Sequence, residues 1–153
     1  MKVVAQRASY GQVVVDDEVV GRLPSPGLVL LVGVTGSDTY AVAEKMAAKI
    51  WGLRILESPS GVTPEAWTRG DVSCSDVGAP LLVISQFTLY GDTRKGRRPS
   101  WDQAAKADVA EPIFDHFVDH LRTLGAHVET GIFGAHMDVT LTNSGPVTLI
   151  LEL

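Results

Sequence analysis

Leu28–Val34 reads LVLLVGV, a run whose side chains are apolar at both alternating sets of positions. A strand half in water alternates apolar with polar residues; a strand apolar on both sets is covered on both faces. Thr35-Gly36-Ser37-Asp38 follows with turn and N-cap chemistry. A helix comes next, because Val42, Ala43, Met46, Ala47 and Ile50 fall on one face at helical spacing. Gly52 then suits the residue just past a helix end. Upstream, Lys2–Ser9 reads as a strand. Gln12–Val15 and Glu18–Leu23 flank Asp16-Asp17 as a hairpin with a two-residue loop, and Pro24–Gly27 is a turn.

Downstream, Leu53–Glu57 reads as a short strand. Ser58–Pro80, rich in Ser, Gly, Pro, Thr and Asp, reads as a long surface loop with a short helical turn, with Trp67 and Cys74 as its isolated apolar points. Leu81–Pro99 (LLVISQFTLYGDTRKGRRP) opens as an apolar strand, turns polar at Ser85, Gln86 and Thr88, and ends in a basic cluster. Ser100 or Asp102 is suited to cap a helix. Glu111-Pro112 marks a second helix start, from which Ile113, Phe114, Phe117, Val118, Leu121 and Leu124 repeat at 3.6 spacing until Gly125. His127–Thr130, Met137–Thr142 and Val147–Leu153 read as strands. Gly131–His136 is a Gly-bounded loop with one aromatic, and Asn143–Pro146 is a tight turn. Strands dominate both ends with two helices between. The fold class is α/β (α+β), compact and β-rich, in one domain over residues 1–153.

Apolar residues make up 45% of the chain and charged residues 20%, the balance of a folded globular protein. No secretory signal is visible at the N-terminus, and no apolar run approaches the roughly 20 residues that span a bilayer. A single cysteine, Cys74, excludes an internal disulfide and a cysteine-built zinc site. A lone thiol suits a reducing compartment, so cytoplasm is the expected location. With a net charge of −5, a nucleic-acid partner must be held by a local patch.

That patch is Arg94-Lys95-Gly96-Arg97-Arg98, four of the thirteen basic residues. Guanidinium forks match phosphate oxygens, and Gly96 lets the backbone approach. In the preceding strand, alternation places Ser85 and Phe87 on one side and Gln86 and Thr88 on the other. A Thr hydroxyl is a nucleophile or orients water, and Gln or backbone N–H groups stabilise an oxyanion. Read from the residues alone, Thr88 is simply a good β-former, Arg7 an exposed edge-strand cation, Cys74 an inert thiol, and Gly145-Pro146 an ordinary trans turn. His116 and His120 lie four apart, but with no third ligand they read as a solvated face rather than a metal site. No catalytic triad, Walker loop, GxGxxG element or acidic metal cluster is present in the sequence.

Two motifs nevertheless resemble one family. Ser85-Gln86-Phe87-Thr88-Leu89, continuing as Tyr90–Ser100, and Asn143-Ser144-Gly145-Pro146-Val147-Thr148 are similar to those of the D-aminoacyl-tRNA deacylases of the bacterial and eukaryotic type. Lys2–Ser9, Leu28–Val34 and Glu129–Gly134 resemble the family too, so the likeness runs nearly the whole length. It implies a barrel-like mixed sheet with two main helices. It implies hydrolysis of the ester joining a D-amino acid, or mischarged glycine, to the terminal adenosine of tRNA, with no cofactor and no metal. It implies a homodimer in which a cis Gly145-Pro146 reaches the partner subunit's pocket, holds the substrate amino group with its carbonyls and excludes an L side chain.

By the same resemblance, Arg7 orients those carbonyls, and Ser85, Gln86, Phe87 and Thr88 line the pocket. Phe133 and Met137 lie near the terminal adenosine, and Arg94, Lys95, Arg97 and Arg98 meet acceptor-stem phosphates. Membranes and DNA are not expected partners. Many family members carry a Met-Asn pair where this chain has Ser58–Ser75, which leaves the pocket rim and dimer edge open. Two rivals remain: an editing domain of the same fold that removes a mischarged L-amino acid, and a non-catalytic tRNA-binding module.

Overall fold

The computed structural model describes residues 1–57 and 72–153. The first strand, β1 (Lys2–Val15), is central. Lys2–Ala8 pairs antiparallel with β3 (Gly27–Gly33), Gln12–Val15 with β2 (Glu18–Arg22), and nearly its whole length with β6 (Asp138–Glu152). The hairpin around Asp16-Asp17 is present, with both aspartates at positive φ (49° and 65°). A two-residue type I′ loop requires that geometry. Arg7 is therefore on a strand paired on both sides, not at an edge.

From β3 the sheet continues through parallel partners β4 (Leu81–Ser85) and β5 (Val128–Thr130). Parallel neighbours need crossover connections. The first carries helices α1 (Tyr40–Trp51) and α2 (Cys74–Val77); the second carries α3 (Ala107–Thr123).

The continuous apolar runs are now explained. Leu28, Leu30 and Val32 of β3, with Leu81 and Val83 of β4, face α1 and α3 in one core. Val29, Leu82 and Ile84 face the other way, into a smaller core with Ala8, Val13 and Leu23. Both alternate sets are buried, as the period-2 geometry of a doubly covered strand requires. The small core exists because the sheet curls towards a barrel. A Cβ placed on Gly21 of β2 would lie 2.2 Å from the Thr130 carbonyl oxygen of β5, so only glycine permits that approach.

Helix α1 buries Ala43, Met46, Ala47 and Ile50 and is capped by Thr39, whose hydroxyl accepts from the Val42 N–H at 3.4 Å. Gly52 ends it at φ −92°, an ordinary conformation. Asp38 has a different task. It accepts from the Met1 ammonium at 2.5 Å and from the Thr35 N–H at 2.8 Å.

Leu53–Glu57 is not a strand; among the described residues its one ladder-type pairing is an isolated bridge from Leu56 to Val72. Helix α3 does not restart at Pro112. It begins at Ala107 after Lys106 and continues through Pro112 as one helix, Ser100 instead bonding Asp102. Pro112 removes one donor, but burial of Ala110, Ile113, Phe114, Phe117, Val118 and Leu121 holds the helix across it. Met137–Thr142 and Val147–Leu153 are not two strands joined by a turn. They form one strand, β6, and Ser144–Val147 bulges out of it. Gln6 pairs with Thr148 and Ala8 with Asn143, so Arg7 alone opposes the four residues Ser144–Val147. Of the expected loop Ser58–Pro80, residues 58–71, with Trp67, lie outside the described residues. The helical turn is α2, closed by a Ser73–Asp76 capping box.

Candidate active site

Strand β4 ends where its pairing with β3 ends, at Ser85 opposite Val32. Gln86 makes one more bond, N–H to the Val32 carbonyl at 2.7 Å, and the chain then tightens into a 3₁₀ turn over Phe87–Tyr90. The strand alternation expected for Ser85–Thr88 is therefore broken. Ser85, Gln86 and Phe87 line one cavity together, whereas Thr88 does not line it. The Thr88 hydroxyl is held instead by the Gln86 side-chain amide. At the start of a helical turn the first N–H groups have no intrahelical acceptor, so the amides of Phe87 and Thr88 are free of helical bonding.

The cavity measures about 430 Å³. Phe133 and Met137 line it, as expected, and Phe133 packs on Phe114 of α3 at 5.9 Å between ring centroids. Phe87 projects into solvent, edge-on to Trp101 at 5.5 Å. Sequence reasoning missed the rest of the wall. Ala105, Ala107 and Ala110, around the start of α3, keep the space open by being small. His136 also lines it and is the one ionisable side chain that does among the described residues. The Gly-bounded loop was visible in the sequence, but no motif tied its histidine to Ser85–Phe87.

The bulge on β6 is built around Arg7. Gly145-Pro146 is cis, and Gly145 has φ +114°. The Asn143 amide closes the base by donating to the Arg7 and Val147 carbonyls at 2.8 and 3.0 Å. Arg7 Nε donates to the Ser144 carbonyl at 3.0 Å, one residue before the dipeptide that the resemblance pairs with it. Its Nη1 donates to the Ile55 carbonyl at 3.4 Å, and Nη2 meets Glu57 at 3.0 Å. Arg7, Gly145 and Pro146 do not line the cavity that holds Ser85–Phe87. Within one chain, the two halves of the expected site are apart.

The basic cluster forms an exposed loop closed by mutual backbone bonds between Asp92 and Ser100, at 2.8 and 3.0 Å. Arg94 is turned back on Asp92 by two-pronged bonds of 2.5–3.1 Å. Those bonds hold the Asp92 carboxyl down at about 2. Lys95, Arg97 and Arg98 remain at the exposed tip. Burial pushes the Cys74 thiol up to about 12, so it is inert at neutral pH. His116 pairs with Glu44 of α1 at 2.8 Å and stacks on His120. Among the described residues no group of three or more His, Cys, Asp or Glu could hold a metal, and no helix is long and apolar enough to cross a membrane.

A family model described as D-Tyr-tRNA(Tyr) deacylase matches residues 4–152. A D-aminoacyl-tRNA deacylase of Cutibacterium acnes is 59% identical over 99% of this chain and 97% of its own. One of Thermobifida fusca is 57% identical over the whole of both chains. Among solved structures, a protein titled c-Myc DNA Unwinding Element Binding Protein superposes with a TM-score of 0.88 at 33% identity, covering 100% of this chain and 99% of that one. A structure titled as a probable eukaryotic D-amino acid tRNA deacylase gives 0.85 at 17% identity, over 99% and 98%.

Proposed function

The chain belongs to the D-Tyr-tRNA(Tyr) deacylase family, and we propose from that premise that its site is the cavity over Ser85–Phe87, completed by Gly145-Pro146 of a second copy. The reaction is hydrolysis of D-aminoacyl-tRNA to the free D-amino acid and tRNA; glycyl esters, having no side chain to exclude, are admitted too. The observation that carries the reading is the separation just described. A gripped Gly-cis-Pro bulge and a polar-floored cavity do not meet within one chain. A second copy supplies what each lacks. Strand β6 supports this arrangement, since among the described residues it pairs only with β1 and exposes Val139, Leu149 and Ile150, the last 69% exposed.

In this reading the terminal adenosine lies by Phe133 and Met137, with the ester over Ser85–Phe87. The carbonyls of the partner's Gly145 and Pro146 accept from the substrate ammonium, and the space an L side chain would need is filled. Water attacks the ester carbonyl. The negative charge that develops is met by the free amides of the 3₁₀ turn, and the terminal 2′-hydroxyl orients the water. The bond from carbonyl carbon to ribose oxygen then breaks, and the tRNA leaves as its alcohol. Lys95, Arg97 and Arg98 contact acceptor-stem phosphates, with Arg94 setting the loop through Asp92. A protein of net charge −5 binds tRNA through this patch and has no general affinity for DNA or membranes. A tRNA substrate places it in the cytoplasm.

The test is deacylation of D-Tyr-tRNA beside L-Tyr-tRNA by the purified protein. Faster loss of the D-ester supports the reading. Faster loss of the L-ester identifies an editing domain of opposite chirality, and salt-sensitive tRNA binding without ester loss identifies a binding module. Thr88→Ala separates two mechanisms in the same assay. Because its hydroxyl is turned onto Gln86 and no base activates it, the variant is expected to lose less than the about 100-fold typical of a lost proton-transfer group. Complete loss would make Thr88 the nucleophile. Arg97→Ala combined with Arg98→Ala is expected to weaken tRNA binding and flatten its dependence on log salt by about 1–2. An unchanged slope would reduce the loop to solvated charge.

A further inference from the structure

Arg7 is a mostly buried cation, its side chain 12% exposed, and its three nitrogens each have a different partner, two carbonyls by hydrogen bonds and one carboxylate by an ion pair. Only one, Ser144 O, belongs to the bulge. The other two, Ile55 O and the Glu57 carboxylate, belong to the segment before residue 58. That segment is itself anchored: Leu56 is buried and exchanges backbone bonds with Val72 at 3.0 and 3.3 Å. Val72 is followed by the Ser73–Asp76 capping box.

We infer that Glu57 is a positioning residue for chiral selection: it fixes the Arg7 guanidinium, and through it the height and direction of Gly145-Pro146. The inference rests on the proposed role of that dipeptide. The guanidinium lies hard against the bulge, since a Cβ on Gly145 would come within 2.2 Å of Arg7 Nη2. Nη2 is the same nitrogen that Glu57 holds at 3.0 Å. The two carbonyl acceptors hold Nε and Nη1, whereas the Glu57 carboxylate adds an ion pair at 3.0 Å that draws Nη2, the nitrogen nearest Gly145, to one side. Movement of Nη2 is transmitted directly to Gly145, because nothing lies between them.

Glu57 is itself 62% exposed, and exposed ion pairs contribute little to stability. Its removal should therefore act on selectivity and leave the fold unaffected.

The experiment measures kcat/KM for D-Tyr-tRNA and L-Tyr-tRNA, and Tm, for the parent, Glu57→Gln, Glu57→Lys and Pro146→Ala. The D-to-L ratio is expected to fall about tenfold in Glu57→Gln, less than the about 100-fold that follows a full ångström of misplacement, and further in Glu57→Lys. The melting temperature of Glu57→Gln stays with the parent. An unchanged ratio in both Glu57 variants overturns the inference, whether or not Tm falls. So does an equal loss on both esters. Pro146→Ala keeps the two readings apart. A parent-like ratio there removes the dipeptide from selection altogether, whereas a lowered ratio beside unaffected Glu57 variants removes only Glu57.

Discussion

Gly145→Ala is expected to lower D-ester turnover about 100-fold, the scale that follows from misplacing a reacting group by about an ångström, in a protein that still folds. Two independent features make the position intolerant. Its φ of +114° lies where L side chains are rarely found, at a cost of about 1–3 kcal/mol. The added methyl would also meet Arg7 Nη2 at 2.2 Å, Arg7 Cζ at 3.1 Å and Val147 Cγ2 at 3.1 Å. A flexible side-chain end commonly gives way to such a methyl. This one is held by Ser144, Ile55 and Glu57 at once, so it yields only by breaking a bond that shapes the bulge. The cores are untouched, because the bulge stands outside both and its base is closed by Asn143. Deacylation kinetics beside a thermal melt check the prediction. Parent-like turnover in a folded variant would remove Gly145 from the site.

The elements that were legible in the sequence are those whose signal is local and repeated. LVLLVGV states its burial on both faces residue by residue, and α1 shows its buried stripe at 3.6 spacing. The misread elements depend on partners far along the chain. Asn143-Ser144-Gly145-Pro146 has turn chemistry and does leave the ladder. Its composition cannot say that β1 takes the chain back on the far side in the same direction. Likewise nothing in Gln86-Phe87-Thr88 opposes a strand. The strand stops because its register with β3 runs out at Val32, a fact held by another element. The cavity is assembled from the end of β4, the start of α3 and the loop before β6, so His136 carried no signal until these met. Arg94 was different: Asp92 stood two residues away in the sequence, and the pairing that withdraws Arg94 from phosphate contact was open to inspection. The family resemblance supplied what periodicity lacked: it joined Arg7 to the segment of Gly145-Pro146, and Arg7 meets that segment at Ser144, 137 positions later.

Asp38→Ala is expected to destabilise the protein by about 3–5 kcal/mol, the usual cost of stripping one partner from a buried ion pair. For a chain of this length that is a fall in Tm of about 10 °C. Its carboxylate, with 4% of the side chain exposed, meets the Met1 ammonium at 2.5 Å. Without it the ammonium keeps only the Leu153 carbonyl, at 2.8 Å, and a buried charge is left without its counter-charge. Asp38→Asn keeps acceptor geometry for the Thr35 N–H and should cost less, which separates charge from turn shape. The damage should also reach the cavity. Asp38 fixes the turn at Thr35, whose hydroxyl donates to the Gln103 carbonyl at 2.7 Å and whose backbone bridges Ala104. The next residue, Ala105, donates to the Val34 carbonyl at 2.9 Å and lines the cavity wall. Loosening this chain of contacts widens the site near the start of α3, so KM for the D-ester should rise in Asp38→Ala below its melting temperature. A parent-like Tm would show that the buried pair contributes nothing net, and a lowered Tm with unchanged KM would confine Asp38 to stability.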